Sequence, residues 1–179
     1  LNLYVITCDY LPNNIAHKYS DEYINVSIID KEAVLEVAKE KQIDGIMSFA
    51  TDPGVVTAAY VAEKLGLPSC GSYESVSILQ DKGRFRKFLR ENNFVVPNAK
   101  SYEKIEDALN DINFFNWPVI VKPVDSAGSK GVTRVDDINL LEEGIRYALK
   151  FSNSNKFIIE DFIEKKGCSS DSDCFSLDG

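Results

Sequence analysis

Lys122-Pro123-Val124-Asp125-Ser126-Ala127-Gly128-Ser129-Lys130-Gly131-Val132 lies between two apolar runs, Trp117 to Val121 before it and Val132 to Val135 after it. The run before it predicts a short buried strand that ends in lysine, and the run after it predicts the hairpin partner. A loop of glycines, serines and a lysine between two strands can wrap backbone N–H groups, hydroxyls and an ammonium around phosphates. It is not a P-loop, because the glycine spacing is wrong and a strand, not a helix, follows. Nor does it fit the dinucleotide fingerprint. The plain alternative is an ordinary flexible hairpin loop. Lys122 adds weight to the phosphate reading. A lysine closing a buried strand must snorkel outward or meet an anion, since an unpaired buried ammonium is costly. A salt bridge to a nearby carboxylate is the other way to satisfy it.

The rest of the chain makes this local positive charge stand out. Of 179 residues, 28 are Asp or Glu and 20 are Lys or Arg, a net charge of −8. That balance argues against nucleic acid as the main partner, because phosphate contacts dominate such affinity. Hydrophobic residues make up 44% of the chain, yet no apolar run approaches the roughly 20 residues of a membrane helix. Ten Gly and six Pro are ordinary counts and exclude a collagen-like or low-complexity polymer. The only methionine is Met47, and Leu1 leads directly into an apolar run without a basic-then-apolar leader, so a piece of a longer protein is expected. Cys8, Cys70, Cys168 and Cys174 form no Cys-x-x-Cys, and His17 is the sole histidine, so zinc is not expected. Free buried thiols and a cytoplasmic location are the expectations.

Two regimes divide the chain. From 1 to 71, strand-like runs at Leu3 to Ile6, Val26 to Ile29 and Asp44 to Phe49 alternate with helical patterns. Asp30 is expected to cap a helix with apolar positions Val34, Leu35, Val37 and Ala38, and Asp52-Pro53 to open another that Gly66 ends. Such alternation predicts a Rossmann-like, doubly wound parallel sheet with ligands beyond the carboxyl ends of its strands, near Asp9 and Ala50-Thr51-Asp52. A helical connector, 72–96, holds a helix capped by Ser72. It also holds a basic amphipathic helix, Asp81 to Asn92, with Lys82, Arg84, Arg86, Lys87 and Arg90 around an apolar stripe of Phe85, Phe88 and Leu89. A solvated charged face is the plain reading of that helix. The second regime, 97–179, is expected to be an α+β unit. Ser101 would cap a helix over Glu103 to Ile112, Asp136 or Asp137 one reaching Phe151, Phe157 to Glu160 would form a strand, and Cys174 to Leu177 a last one.

Four motifs in order, Asp81-Lys82, then Pro118-Val119-Ile120-Val121-Lys122-Pro123, then Asp125 to Val132, then Ile158-Ile159-Glu160-Asp161-Phe162-Ile163, resemble the ATP-grasp superfamily. The likeness is to the large chain of carbamoyl-phosphate synthase and its stand-alone relatives. Asp9 to Asn14, His17 to Asp21 and Ser48 to Pro53 resemble the pre-ATP-grasp domain of that group. The resemblance implies a pre-ATP-grasp sheet followed by an ATP-grasp lid, truncated at both ends, with ATP and Mg2+ as cofactors. It implies that Lys82 and Lys122 reach the phosphates. Ser126, Gly128, Ser129, Lys130, Gly131 and Val132 would form the flap over the β- and γ-phosphates. Glu160, Asp161, Phe162 and Ile163 would form the hinge at the adenine edge, with Ile120 and Ile159 against the adenine faces. Plain core for Ile158-Ile159 and a surface carboxylate for Glu160 are the alternatives.

The chemistry so implied is phosphorylation of a small carboxylate or bicarbonate-like substrate by ATP to an acyl phosphate, followed by attack of a nucleophile. The family's magnesium-binding carboxylates are expected beyond Gly179, so the chain alone is expected to bind nucleotide weakly and not turn it over. Cys168 falls where relatives place a ribose-contacting polar residue, which leaves that contact open. A non-catalytic nucleotide-binding or regulatory module is the alternative function, and a homo-oligomer is compatible with either. Asp9, Asn13, His17 and Asp52 are candidate substrate contacts, each with a structural alternative such as helix cap or solvated loop residue.

Overall fold

A computed structural model describes residues 2–49 and 51–168. The expected strand Cys174 to Leu177 lies outside the described residues. Strand β1 (Ile6–Asp9) pairs in parallel with β2 (Glu22–Asn25), and helices α1 (Lys31–Lys41), α2 (Asp52–Leu65), α3 (Tyr73–Gln80) and α4 (Lys82–Glu91) follow. Then come β3 (Ala99–Tyr102), α5 (Ile105–Asn110), β4 (Val119–Pro123), β5 (Thr133–Val135), α6 (Leu141–Leu149) and β6 (Phe157–Asp161). The last four strands form one antiparallel sheet in the order β3-β6-β4-β5. A parallel Rossmann-like pair followed by an α+β unit is thus the architecture.

Local chemistry explains most helix ends. Asp30 accepts from the Ala33 N–H, Ser72 from Ser75 and Asp81 from Arg84, each satisfying a donor in the first turn that the helix itself leaves open. Gly66 closes α2 in the left-handed conformation at φ 67°. At the other end of α2 the N-cap is Thr51, not Asp52, which is already helical, and no side chain caps the turn.

Several strands differ from expectation. The first lies at Ile6–Asp9, three residues beyond the expected start, and the Val5 carbonyl just before it accepts the N–H groups of Asp21 and Glu22. Its partner is Glu22–Asn25 rather than Val26 to Ile29, which bends through a Val26-to-Ile24 hydrogen bond into the α1 cap. Asp44 to Phe49 joins no ladder among the described residues. Ser101 sits in β3, and α5 starts at Ile105 after Lys104, which provides no side-chain cap. The helical turn that Asp137 caps is a short 3-10 turn ahead of α6.

Two cores result. The larger joins Val119, Val121, Phe157 and Ile159 of the antiparallel sheet to Leu141, Ile145 and Ala148 of α6 and Ala108 of α5. The approach of α6 is close: a Cβ at Gly144 would stand 3.0 Å from Val135 Cγ2. The smaller core is Val34, Leu35 and Ala38 of α1 against Val61 of α2. Free thiols are recorded at Cys8, Cys70 and Cys168, but only Cys8 is partly covered, so the expectation of buried thiols fails at the other two. Among the described residues, no helix is long and apolar enough to cross a membrane.

Candidate functional site

In β4 the side chains alternate, so Val119 and Val121 enter the core while Ile120 and Lys122 face the other way. Register then decides what joins them. Ile120 lies opposite Glu160 on β6 and Arg134 on β5, and Lys122 lies opposite Ile158. Ile159 pairs with Val121 and is fully buried in the core, so it cannot line a slot beside Ile120; period-two alternation corrects that expectation.

The face so defined looks onto a cavity of about 520 Å³. Its lining includes Asp52, Lys82, Ile120, Lys122 and the loop from Ser126 to Lys130, with Val132. The structure thus brings Lys82, Lys122, Ser126, Gly128, Ser129, Lys130 and Val132 of the expected set to one hollow. Its volume is of the size that small-molecule sites use.

The loop is tied at its base and open at its tip. Asp125 accepts from Ser152 Oγ, Asn153 N and Ser154 N, which anchors the strand exit to the turn before β6. Gly128, Ser129 and Gly131 take positive φ of 65°, 58° and 73°. Gly131 could not be otherwise, since a Cβ there would meet Phe151 and Pro123 at 3.0–3.1 Å. Gly128, Ser129 and Lys130 are exposed.

Helix α4 enters the site through charge. Lys82, Arg86 and Arg90 recur every four residues and so share a face. Lys82 Nζ donates to the Ser126 carbonyl at 2.5 Å and to that of Val124 at 3.4 Å. Arg90 Nη2 donates to the Ala99 carbonyl at 2.9 Å. Arg86 forks onto Glu160, Nε to Oε1 at 2.8 Å and Nη2 to Oε2 at 3.4 Å, while Lys122 Nζ donates to Oε2 at 2.7 Å. The helix can sit this close because residue 83 is glycine: a Cβ there would fall 1.9 Å from Ser101 Oγ. The expected apolar stripe is weaker than the basic one. Phe88 is exposed and no residue of α4 is buried.

Glu160 is 5% exposed. Burial pushes its carboxyl up, but the hydrogen bonds from Arg86 and Lys122, with their charges, outweigh that and hold it below the ordinary glutamate range. The Lys82 ammonium is lowered, by burial first and by the charge of Lys122 second. An anion in the cavity would reverse the second effect. The Glu160 carboxylate is therefore an ion-pair partner rather than a free group at an adenine edge. Asp161 is also engaged. Its carboxylate accepts from Asn98 Nδ2, Asn116 N and Asn116 Nδ2, and its N–H goes to the Asn98 carbonyl. Phe162 donates its N–H to Pro118 O, and its ring lies 4.4 Å under the Arg134 guanidinium. Ile163, the next residue, is exposed.

The candidates in the first region divide. Asp52 lines the cavity. Asp9 instead serves its own loop, and the Leu11 N–H foremost holds its carboxyl below the ordinary aspartate range. His17 stacks on Tyr23 at 3.8 Å and bonds Thr7 Oγ1 and the Leu11 carbonyl. Asn13 is exposed. Arg86 is the site residue that reading the sequence missed; its four-residue step from Lys82 was the available signal. Among the described residues, no three His, Cys, Asp or Glu side chains are grouped to hold a metal ion.

Comparison with known proteins agrees with this geometry. A family model described as an ATP-grasp domain matches residues 79–172, and one described as an ATP-grasp N-terminal domain matches residues 7–69. The carbamoyl phosphate synthase large chain of Pseudothermotoga lettingae is 26% identical over 162 residues, covering 89% of this chain and 15% of that protein. A crystal structure of an L-amino acid ligase from Bacillus licheniformis matches with a TM-score of 0.67 at 25% identity, covering 90% of this chain and 38% of that one. N5-carboxyaminoimidazole synthetase from Staphylococcus aureus, complexed with ADP, matches with a TM-score of 0.67 at 18% identity, covering 90% of this chain and 41% of that one. This chain spans less than half the length of each of these relatives.

Proposed function

Because this chain belongs to the ATP-grasp family, we propose that it is the ATP-binding portion of an ATP-dependent carboxylate ligase. The observation that carries the reading is the cavity itself. Lys82, Lys122 and the glycine loop meet there from a helix, a strand and a hairpin that only the fold brings together. In this proposal 1–71 is the pre-ATP-grasp domain, 72–96 the connector and 97–179 the part of the ATP-grasp domain that holds the flap.

Lys122 and Lys82 bind phosphate oxygens, and Lys130 with the amides of Ser126 to Val132 closes over them. Lys82 gives up its bond to the Ser126 carbonyl as it does so. Gly128 and Gly131 give the loop the left-handed turns that aim its amides inward. Because the Glu160 side chain and the N–H groups of Asp161 and Phe162 are committed, the hinge serves the adenine edge through the Asp161 carbonyl and the backbone of Ile163. Ile120 packs against the base. The reaction served is transfer of the γ-phosphoryl group to a carboxylate or bicarbonate-like oxygen, giving an acyl phosphate for a nucleophile to consume. The protein's share of such a step is positioning and charge stabilisation. The chain alone binds nucleotide without turning it over in this reading.

ATP affinity tests the assignment. Lys122→Met loses about tenfold or more, the lower end for a hydrogen bond to a charged group, and Lys130→Met loses less. Lys87→Ala, whose side chain is exposed and reaches only Glu91 at 3.8 Å, leaves affinity unchanged. Equal loss at all three would mean general destabilisation and would remove the assignment. Magnesium-dependent ATP hydrolysis by the chain would contradict the absence of turnover.

A further inference from the structure

Glu160 is nearly inaccessible and carries two cations, Lys122 from the neighbouring strand and Arg86 from helix α4. One would satisfy it. Lys122 Nζ spends one of its three donors on Glu160, and its side chain lines the cavity. Arg86 spends a two-pronged fork on the same carboxylate. We propose that Arg86 is a positioning residue of the nucleotide site: by holding Glu160, it frees the Lys122 ammonium to be shared with a nucleotide phosphate.

The physical case is one of competition. A buried carboxylate with a single cationic partner holds that partner strongly, because parting them leaves a buried charge uncompensated. Were Lys122 the only partner, a phosphate would have to draw it away from Glu160 at that cost. Arg86 supplies a second partner that is better matched to a carboxylate and comes from another element. The group of Arg86, Lys122 and Glu160 then presents one net positive charge to the cavity; without Arg86 it presents none. Arg86 itself need not touch the nucleotide. The inference rests on the reading of Lys122 as a phosphate ligand and adds to it how that lysine is kept available.

ATP titrations of the chain by calorimetry separate the possibilities, using Arg86→Met, Glu160→Gln, the double variant and Lys122→Met. Arg86→Met weakens ATP binding about tenfold, within the range of coupling between contacting charged groups. Adding Glu160→Gln to it restores affinity to within about threefold of the parent, because a neutral amide no longer competes for the ammonium. Loss without restoration in the double variant would make Arg86 a structural residue and overturn the proposal, as would unchanged affinity in Arg86→Met. If Arg86→Met does not fold, Arg86→Gln with and without Glu160→Gln makes the same comparison, and restoration is again required. Unchanged ATP affinity in Lys122→Met would instead remove the phosphate-ligand reading beneath it.

Discussion

The antiparallel sheet and the parallel pair differ in how much of their apolar surface they cover. In β3-β6-β4-β5 and its helices, Val119, Val121, Ile145, Phe157, Ile158 and Ile159 are all fully buried. Around β1-β2, by contrast, Leu3, Tyr4, Met47 and Phe49 are each at least 66% exposed. A two-stranded sheet has little face to bury and depends on its helices, here through the small cluster of α1 and α2. The lesson concerns placement. The cavity-lining residues of β4 and the base of the glycine loop stand on the half that closes its own core. From residues 1–71, Asp52 is the described residue that lines the cavity.

The largest expected effect is therefore in the antiparallel core. Ile145→Ala should cost about 2–5 kcal/mol in urea unfolding, while Phe49→Ala should stay within about 0.5 kcal/mol. A comparable loss at Phe49 would erase the contrast between the two regions. Next comes the contact that seats α4 on the sheet. Gly83→Ala should cost about 1–3 kcal/mol through the clash with Ser101, and it should weaken ATP binding by moving Lys82. Unchanged stability would show that the helix is not held against β3.

Acid should act mainly through Glu160. Its carboxyl is held below the ordinary value of about 4.3, so its contribution is complete above that pH and is lost as pH falls through its folded-state value. Glu160→Gln should flatten that part of the acid unfolding curve. A curve unchanged in shape would mean the pairing with Arg86 and Lys122 does not persist. The smallest effects are at helix caps in the first region. Asp30→Ala should cost about 1 kcal/mol because its carboxylate caps α1, whereas Asp52→Ala should cost less than about 0.5 kcal/mol, having no cap to lose.

Much of the site was legible because its signals are local. The loop Ser126 to Val132, the strand ending at Lys122 and the capped helix at Asp81-Lys82 each declare themselves within a dozen residues. What was not legible depends on pairing. Ser101 reads as the cap of a helix over Glu103 to Ile112, yet Ala99-Lys100-Ser101-Tyr102 is the edge strand β3, buried only at its first and last residues. Ile158 and Ile159 look equivalent, and only register with β4 sends Ile159 to the core and Ile158 to the face that Lys122 shares. Arg86 was one of five basic residues on a helix until the fold set Glu160 opposite it. In the first region, β2 was misplaced because Glu22-Tyr23-Ile24-Asn25 is less apolar than the Val26 to Ile29 run beside it.

The most direct test of the central claim is a titration of the chain with ATP and magnesium, followed through its backbone amide resonances. The account predicts shifts concentrated at Lys82, Lys122, residues 126–132 and residues 160–163, and loss of the set in Lys122→Met. No shift at millimolar ATP, or shifts unaffected by Lys122→Met, would contradict it.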